Sequence, residues 1–246
     1  MKLIVTGSSS KGNNYILQSS RETLLIEAGV RWKEVQRALD YKVSNIVGAI
    51  ITHEHGDHAK YINEYLDAGI DTYSSSGTIE ALSIKSNRFP KVLDSGVIKN
   101  IGKFKIYPFD IIHDAKEPLG FLIYHPEMGN TLFLTDTHYS RYKFKNLNHI
   151  IVECNYDRQI VERKVIEGSM HPSLYKRITK SHMHIDTVLQ LLADNDISKV
   201  NNIILIHLSD GNSDEKEFKK RVQQATGKNT VIADKGVKVN LSLNPF

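Results

Sequence analysis

Apolar residues along this chain fall in short runs separated by glycine, asparagine and serine. Nine of them, Leu3–Val5, Tyr15–Leu17, Thr23–Ile26, Ile46–Ile51, Phe104–Phe109, Phe121–Tyr124, Thr131–Leu134, His149–Val152 and Ile203–Ile206, read as buried or half-buried strands. Helical spacing predicts helices over Arg31–Asp40, Ala59–Ala68, Thr78–Ile84, Ile185–Ala193 and Ser213–Ala225. Within one of these, Ile185, Val188, Leu189 and Leu192 keep the 3-4 spacing of a core-facing helix. The order is strands, then mixed helix and strand, then strands again, then helix and strand. It predicts a layered α/β protein with sheets inside and helices outside. Residues 155–182 break the pattern. They are polar and carry Arg158, Arg163, Lys164, Lys176, Arg177 and Lys180. They read either as a solvated helical excursion or as an insertion that faces substrate or a partner.

The length of 246 residues, with 40% hydrophobic and 24% charged residues, fits a globular chain, and one domain over residues 1–246 is expected. No apolar run is long enough for a membrane span, and the apolar stretch after Met1 is too short for a signal peptide. The expectation is therefore a cytoplasmic protein with no membrane contact. A formal charge of +4 permits an anionic substrate without demanding a nucleic acid. Cys154 is the only cysteine, which excludes an intrachain disulfide and a zinc site built from thiolates. Any transition metal must be held by histidine and carboxylate.

The densest chemistry follows the run Ile46–Ile51. Thr52-His53-Glu54-His55-Gly56-Asp57-His58 places three histidines and an aspartate within six residues. On an extended strand His53 and His55 face one side, and Gly56 lets the chain turn so that Asp57 and His58 return to the same point. Imidazole suits zinc and carboxylate suits a harder cation, so the segment reads as a set of metal ligands. Alternation aims Glu54 away, and it reads as structural. His113, Asp136 and His207 each close a hydrophobic strand. Singly, such residues are ordinary satisfied polar groups. Beside the first cluster they are candidate ligands, and Asp136, with two oxygens, is suited to bridge two cations. Glu27, after Leu24-Leu25-Ile26, is placed to orient a ligand histidine from behind.

In order and spacing this set resembles the metallo-β-lactamase fold superfamily of hydrolases. His53, His55, Asp57 and His58 match its H-x-H-x-D-H pattern. His113, Asp136 and His207 match its later histidine, bridging aspartate and final histidine. Glu27-Ala28-Gly29 matches its acid-glycine motif, with glutamate where aspartate is more usual. The resemblance runs from Gly7-Ser8-Ser9-Ser10-Lys11-Gly12-Asn13 to Asp210-Gly211-Asn212. It implies an αββα sandwich with two zinc ions, manganese being the alternative, at one edge of the sheets. His53, His55 and His113 would hold one ion, Asp57, His58 and His207 the other, with Asp136 between them.

His113-Asp114-Ala115, Glu153-Cys154-Asn155-Tyr156-Asp157, Ser181-His182-Met183-His184 and His207-Leu208-Ser209 are similar to segments of WalJ-type DNA exonucleases. They are similar as well to segments of phage anti-Pycsar phosphodiesterases, which destroy cyclic mononucleotides. The large insert of β-CASP nucleases and the protruding arm of many tRNA-processing relatives are both missing. The expected substrate is therefore a cyclic nucleotide such as cCMP, cUMP or cAMP, hydrolysed to the monophosphate. A phage-encoded enzyme of this kind would counter a cyclic-nucleotide defence in the host cytoplasm. The alternatives are a DNA exonuclease and a thioesterase or lactonase of the same fold.

The resemblance also assigns catalytic roles. Asp57 accepts a hydrogen bond from the nucleophile, and His182 protonates the leaving oxygen unless it merely caps the helix beginning near His184. Ser209, Asp210 and Asn212 bind phosphate or sugar, or cap their loop. Tyr139 and Tyr156 stack on a base, or pack. His125, His138, His149 and His171 have no convincing company. A homodimer is expected, with part of residues 155–182 bordering the partner's site.

Overall fold

The computed structural model describes residues 1–243. Fourteen strands run in chain order as β1 (Lys2–Ser9), β2 (Gly12–Gln18), β3 (Thr23–Ile26), β4 (Ile46–Ile50), β5 (Thr72–Ser74), β6 (Lys91–Val92), β7 (Lys99–Ile101), β8 (Phe104–Asp110), β9 (Leu119–His125), β10 (Gly129–Leu134), β11 (Leu147–Glu153), β12 (Asn202–Ile206), β13 (Asn229–Ile232) and β14 (Lys238–Asn240). Eight helices join them: α1 (Trp32–Ala38), α2 (Gly56–Ala59), α3 (Ile62–Asp67), α4 (Ser76–Ala81), α5 (Arg158–Ile166), α6 (Pro172–Ser181), α7 (Ile185–Asp194) and α8 (Glu215–Thr226). One sheet has the order β14-β1-β2-β3-β4-β5-β6 and the other β13-β12-β11-β10-β9-β8-β7. The strands β3 to β6 are mutually parallel, as are β10 to β13. Parallel strands end on a common edge, and the chemistry lies there.

Strand alternation explains the layering. Leu3, Val5, Leu24 and Ile26 from one sheet meet Phe133, Ile151, Ile204 and Ile206 from the other in the central core. Their neighbours point outward: Ile4 and Leu25 pack with Val35, Tyr65 and Leu66 of α1 and α3. Likewise Ile150, Val152, Ile203 and Leu205 pack with Val188, Leu192 and Phe218 of α7 and α8. Strands buried on both faces need unbroken apolar runs, which is why their sequences are so legible. The result is the expected αββα sandwich.

The nine anticipated strands are present. β5, β6, β7, β13 and β14 were not marked individually, because they are short, polar or at sheet edges. The single helix expected over Ala59–Ala68 is two. Tyr61 N–H donates to the Ala28 carbonyl, 2.9 Å, and Ala28 N–H takes the His58 carbonyl, 2.7 Å. The Asp57 carbonyl accepts from Asn13 Nδ2 at 3.3 Å. Those carbonyls are the ones residues 61 and 62 would need to continue the helix.

Residues 155–182 fold as α5 and α6. Their small core of Tyr156, Val161, Met170 and Ile178 is too sparse to show as periodicity. Among the described residues no helix is long and apolar enough to cross a membrane.

His149 is a buried polar group on β11. Its Nε2 donates to the Leu241 carbonyl, 3.0 Å, and its Nδ1 accepts from Asn202 Nδ2, 3.1 Å, tying β11 to β12 and the C-terminal segment. Burial pushes its pKa from 6.5 down to about 4. The folded state holds the neutral ring, so an unfolded chain protonates first as pH falls. This group's contribution should be complete above pH 6.5 and lost progressively towards pH 4, at about 3 kcal/mol. Urea unfolding across that window should show a steeper acid loss in the wild type than in His149→Gln. Parallel profiles would refute the assignment.

Candidate metal centre

Each candidate ligand sits just beyond a strand. Glu27 follows β3, residues 52–58 follow β4, Asp136 lies two residues past β10 and His207 follows β12 directly. Glu153 is the last residue of β11, in register with Ile206. Three of these bend the chain sharply: Glu27, Asp136 and His207 have φ of 70°, 49° and 51°. Left-handed backbone costs a side-chain-bearing residue on the order of 1 kcal/mol, and it is tolerated here where it aims polar groups into one point. His53 and His55 stand on irregular chain after β4, not on the strand itself, yet their rings are 4.7 Å apart. Gly56 does not have a φ that requires glycine, and a Cβ there would meet open space. The turn comes instead from α2 starting at Gly56. The necessary glycine is Gly29, where a Cβ would overlap the Asp57 carbonyl.

The seven predicted residues converge. His53, His55, His113 and Asp136 form one group, and Asp57, His58, Asp136 and His207 a second, each able to offer ligand atoms within 4.8 Å of one another. Asp136 Oδ2 lies 3.6 Å from His53 Nε2, 3.2 Å from His58 Nε2 and 3.6 Å from His113 Nε2, while Oδ1 is 3.4 Å from His207 Nδ1. His113 Nε2 is 3.1 Å from His55 Nδ1, and His207 Nε2 is 3.1 Å from Asp57 Oδ2.

The donor set fits a cation. Thr52 Oγ1 donates to Glu27 Oε1, 2.7 Å, and so accepts from His53 Nδ1, 2.9 Å. That leaves His53 Nε2 as a bare lone pair, buried and without a hydrogen-bond partner, facing the Asp136 carboxylate. Lone pair against lone pair is repulsive unless a positive ion stands between them. His58 Nδ1 faces Glu27 Oε1 at 3.4 Å, so Glu27 stands behind two ligand candidates where the sequence suggested one.

The electrostatics agree. Burial alone would raise the Asp136 and Asp57 carboxyls, but for Asp136 the rings of His207, His58 and His53, and for Asp57 those of His207 and His58, hold them well below the usual carboxylate range. Burial likewise opposes charge on His207, and Asp136, Asp57 and Glu153 outweigh it, lifting the imidazolium to about 10. Burial lowers the pKa of His53 and His113 instead, which keeps those two rings neutral, the form in which imidazole binds a cation.

Residues 6–76 match the family model described as "Anti-Pycsar protein Apyc1". Exodeoxyribonuclease YycJ of Bacillus anthracis is 24% identical over 94% of this chain and 89% of its own length. Among solved structures, the metallo-β-lactamase fold protein YhfI of Bacillus subtilis superposes with a TM-score of 0.71 at 16% identity, covering 97% of this chain and 98% of that one. Zn²⁺-bound PqqB of Methylobacterium extorquens gives 0.72 at 11% identity, covering 98% and 100%. The chain has the metallo-β-lactamase fold.

Sequence reasoning singled out His182 but gave Glu153 no role. Glu153, wholly buried, accepts from His182 Nδ1 at 2.6 Å, from the Met183 and Thr137 backbone N–H groups, and lies 3.1 Å from His207 Nδ1. His182 closes α6 as its C-cap, and its side chain is committed to Glu153, so the helix-capping alternative falls to its neighbour. His184 accepts from Asp186 N–H, 2.8 Å, and caps α7. Asp136, Glu153, His182 and His207 also bring one potential ligand atom each within 4.8 Å of the others. A signal for Glu153 existed: it is an acid ending the apolar run Ile150–Val152, as Asp136 and His207 end theirs. Asn13 also joins the site, within 3.2 Å of Asp57 Oδ2 and His58 Nε2.

Other candidates serve the scaffold. Glu54 turns away and accepts from Lys116 N–H, 2.7 Å. Asn212 donates to Ser209 within its loop and accepts from Lys164 of α5, and Asp210 pairs at the surface with Lys11. Tyr156 and Cys154 are buried, and Tyr139 remains exposed. His125 pairs with Glu22 and His171 caps α6. The cleft over the cluster has a volume of about 340 Å³ and is also walled by Ser10, Asp114, Arg177 and Ser181. A groove of about 370 Å³ beside Glu34, Arg37 and Lys238 contains no histidine.

Zn²⁺ or Mn²⁺ added to chelator-treated protein is expected to raise Tm, because an ion held by folded-state groups favours that state. Asp136→Ala should abolish the rise. Melting curves indifferent to either ion would argue against a metal centre.

Proposed function

We propose that the protein is a phosphodiesterase with two metal ions, zinc in preference to manganese, that opens cyclic mononucleotides such as cCMP, cUMP and cAMP to nucleoside monophosphates. At the level of reaction class the chain is a metal-dependent hydrolase. The observation that carries the finer reading is the pairing of two ligand groups through one carboxylate, Asp136, beside an imidazole, His182, that neither group needs. Paired ions suit displacement at phosphorus.

His53, His55 and His113 would hold one ion and Asp57, His58 and His207 the other, with Asp136 shared. When bound, the ions supply Lewis acidity that neutralises charge on phosphoryl oxygens and acidifies water. Asp57, kept ionised by His207 and His58, accepts a hydrogen bond from the attacking water. The Nδ1–H of His182 is engaged by Glu153, which turns Nε2 to the leaving oxygen. Burial opposes protonation of His182, but Glu153 outweighs it and raises its pKa, so the ring can donate a proton near neutrality.

The match of residues 6–76 to the anti-Pycsar model supports the cyclic-nucleotide substrate and a role against an antiphage defence. The exodeoxyribonuclease relative, similar over most of the chain, favours a second reading, stepwise hydrolysis of DNA. Product analysis on cCMP, cUMP, cAMP, single-stranded DNA and an acyl thioester separates them. Release of monophosphate from a cyclic nucleotide supports the first reading, turnover of DNA alone the second, and turnover of thioester alone sinks both.

His182→Ala should lower kcat about 100-fold or more, with less effect on KM, since the proton it donates matters in the transition state. A nitrophenyl diester, whose leaving group hardly needs a proton, should lose less. An unchanged kcat on the natural diester would remove His182 from the mechanism.

The protein further acts as a homodimer. Arg177, Ser181 and His182 border the cleft of their own chain, which leaves α5 and the start of α6, with the exposed side chains Ile166 and Leu174, for a second copy. Light scattering across micromolar concentrations tests this, and a mass staying near 27.9 kDa would count against it.

A further inference from the structure

The cleft has one permanent cation in its wall. Arg177 lines it with Asp114, Ser181 and His182, and the wall contains no other arginine or lysine. Arg31, Arg88, Arg141 and Arg221 each pair with a carboxylate. Among the described residues Arg21, Arg37, Arg158, Arg163 and Arg177 have no ion-pair partner, and of these Arg177 alone lines the cleft, with its side chain exposed and Asp114 in the same wall.

The helix explains its neighbours but not this residue. α6 carries Lys176, Arg177 and Lys180 and no acid. Lys180 stands in the last turn, where the negative end of the helix favours a cation. Arg177 is one residue before that turn, where the effect fades. The helix itself is fixed in place. Ile178 is buried against Tyr156, Val161 and Met170, and the Ser181 carbonyl accepts from His113 Nδ1 at 3.2 Å. Arg177 and Ser181 are four residues apart, so they share a helix face, and that face borders the cleft.

A guanidinium offers parallel N–H donors matched to two oxygens of one phosphate. The neutral carbonyl of a thioester or lactone gives it no such partner. We propose that Arg177 grips the non-bridging oxygens of the substrate's phosphate and thereby selects phosphodiesters over neutral esters. The substrate named here rests on the phosphodiesterase reading above; the binding of a phosphate anion does not.

The experiment compares the zinc-loaded wild type with Arg177→Ala and Arg177→Lys. Calorimetry measures the affinity for inorganic phosphate, and steady-state kinetics use bis(p-nitrophenyl) phosphate and p-nitrophenyl acetate. Losing a charge-assisted contact should weaken phosphate binding, and raise KM for the diester, by about 10-fold or more, with kcat falling less than KM rises. KM for the acetate should stay in place, Arg177→Lys should recover part of the loss, and Tm should not move. Unaltered phosphate affinity with unaltered diester KM would overturn the proposal, as would a fall in Tm that accounts for the loss. If the wild type cleaves no phosphodiester, the catalytic reading fails, and the phosphate arm alone still decides the role of Arg177.

Discussion

Asp136 is a carboxylate with 2% of its surface exposed, set at a left-handed turn after β10 and ringed by His53, His58, His113 and His207 at 3.2–3.6 Å. Burying an anion costs several kcal/mol unless cations or donors surround it. Here the surrounding groups come from four separate places: the loop after β4, the β8–β9 connection, the end of β12 and α2. None is near Asp136 in sequence. The two sheets must therefore pack with their parallel strand ends on a common edge before the charge is compensated, and the rest of the centre depends on that arrangement.

Around this carboxylate the scaffold limits freedom at each ligand. Glu27, Thr52 and His53 form a relay that dictates which ring nitrogen carries the proton. Gly29 lets the Asp57 backbone come close, and Asn13 holds both Asp57 and His58. Those same contacts divide α2 from α3, so what looks like a broken helix is the backbone serving the site. Ligands held from behind by buried hydrogen bonds keep their positions more closely than ligands on free loops.

The opposite wall has a different origin. α5 and α6 pack on a small core of their own and touch the ligand layer at Ser181 and His182. The sheet edge carries the buried charges, while the helical pair places His182 and Arg177 in the cleft wall.

The central strands were legible because burial on both faces demands unbroken apolar runs, and the residues that converge on Asp136 were legible as candidates because polar residues punctuate those runs at their ends. The spacing of His53, His55, Asp57 and His58 pointed to metal before any contact was known, and resemblance supplied the partition into two groups. Short edge strands such as β6 and β14 were not legible, since two or three residues around a single valine pair only because a neighbouring strand is there. Nor was the break between α2 and α3, whose cause lies at Asn13 and Ala28. The role of Glu153 also waited for tertiary structure: its sequence position is that of any strand-end acid, and only the packing of β11 between β10 and β12 brings it to His182 and His207. Local sequence determines which backbone a segment prefers and which face is apolar. Which buried charges meet depends on strand order and on the approach of distant segments, and these are decided by packing the whole chain at once.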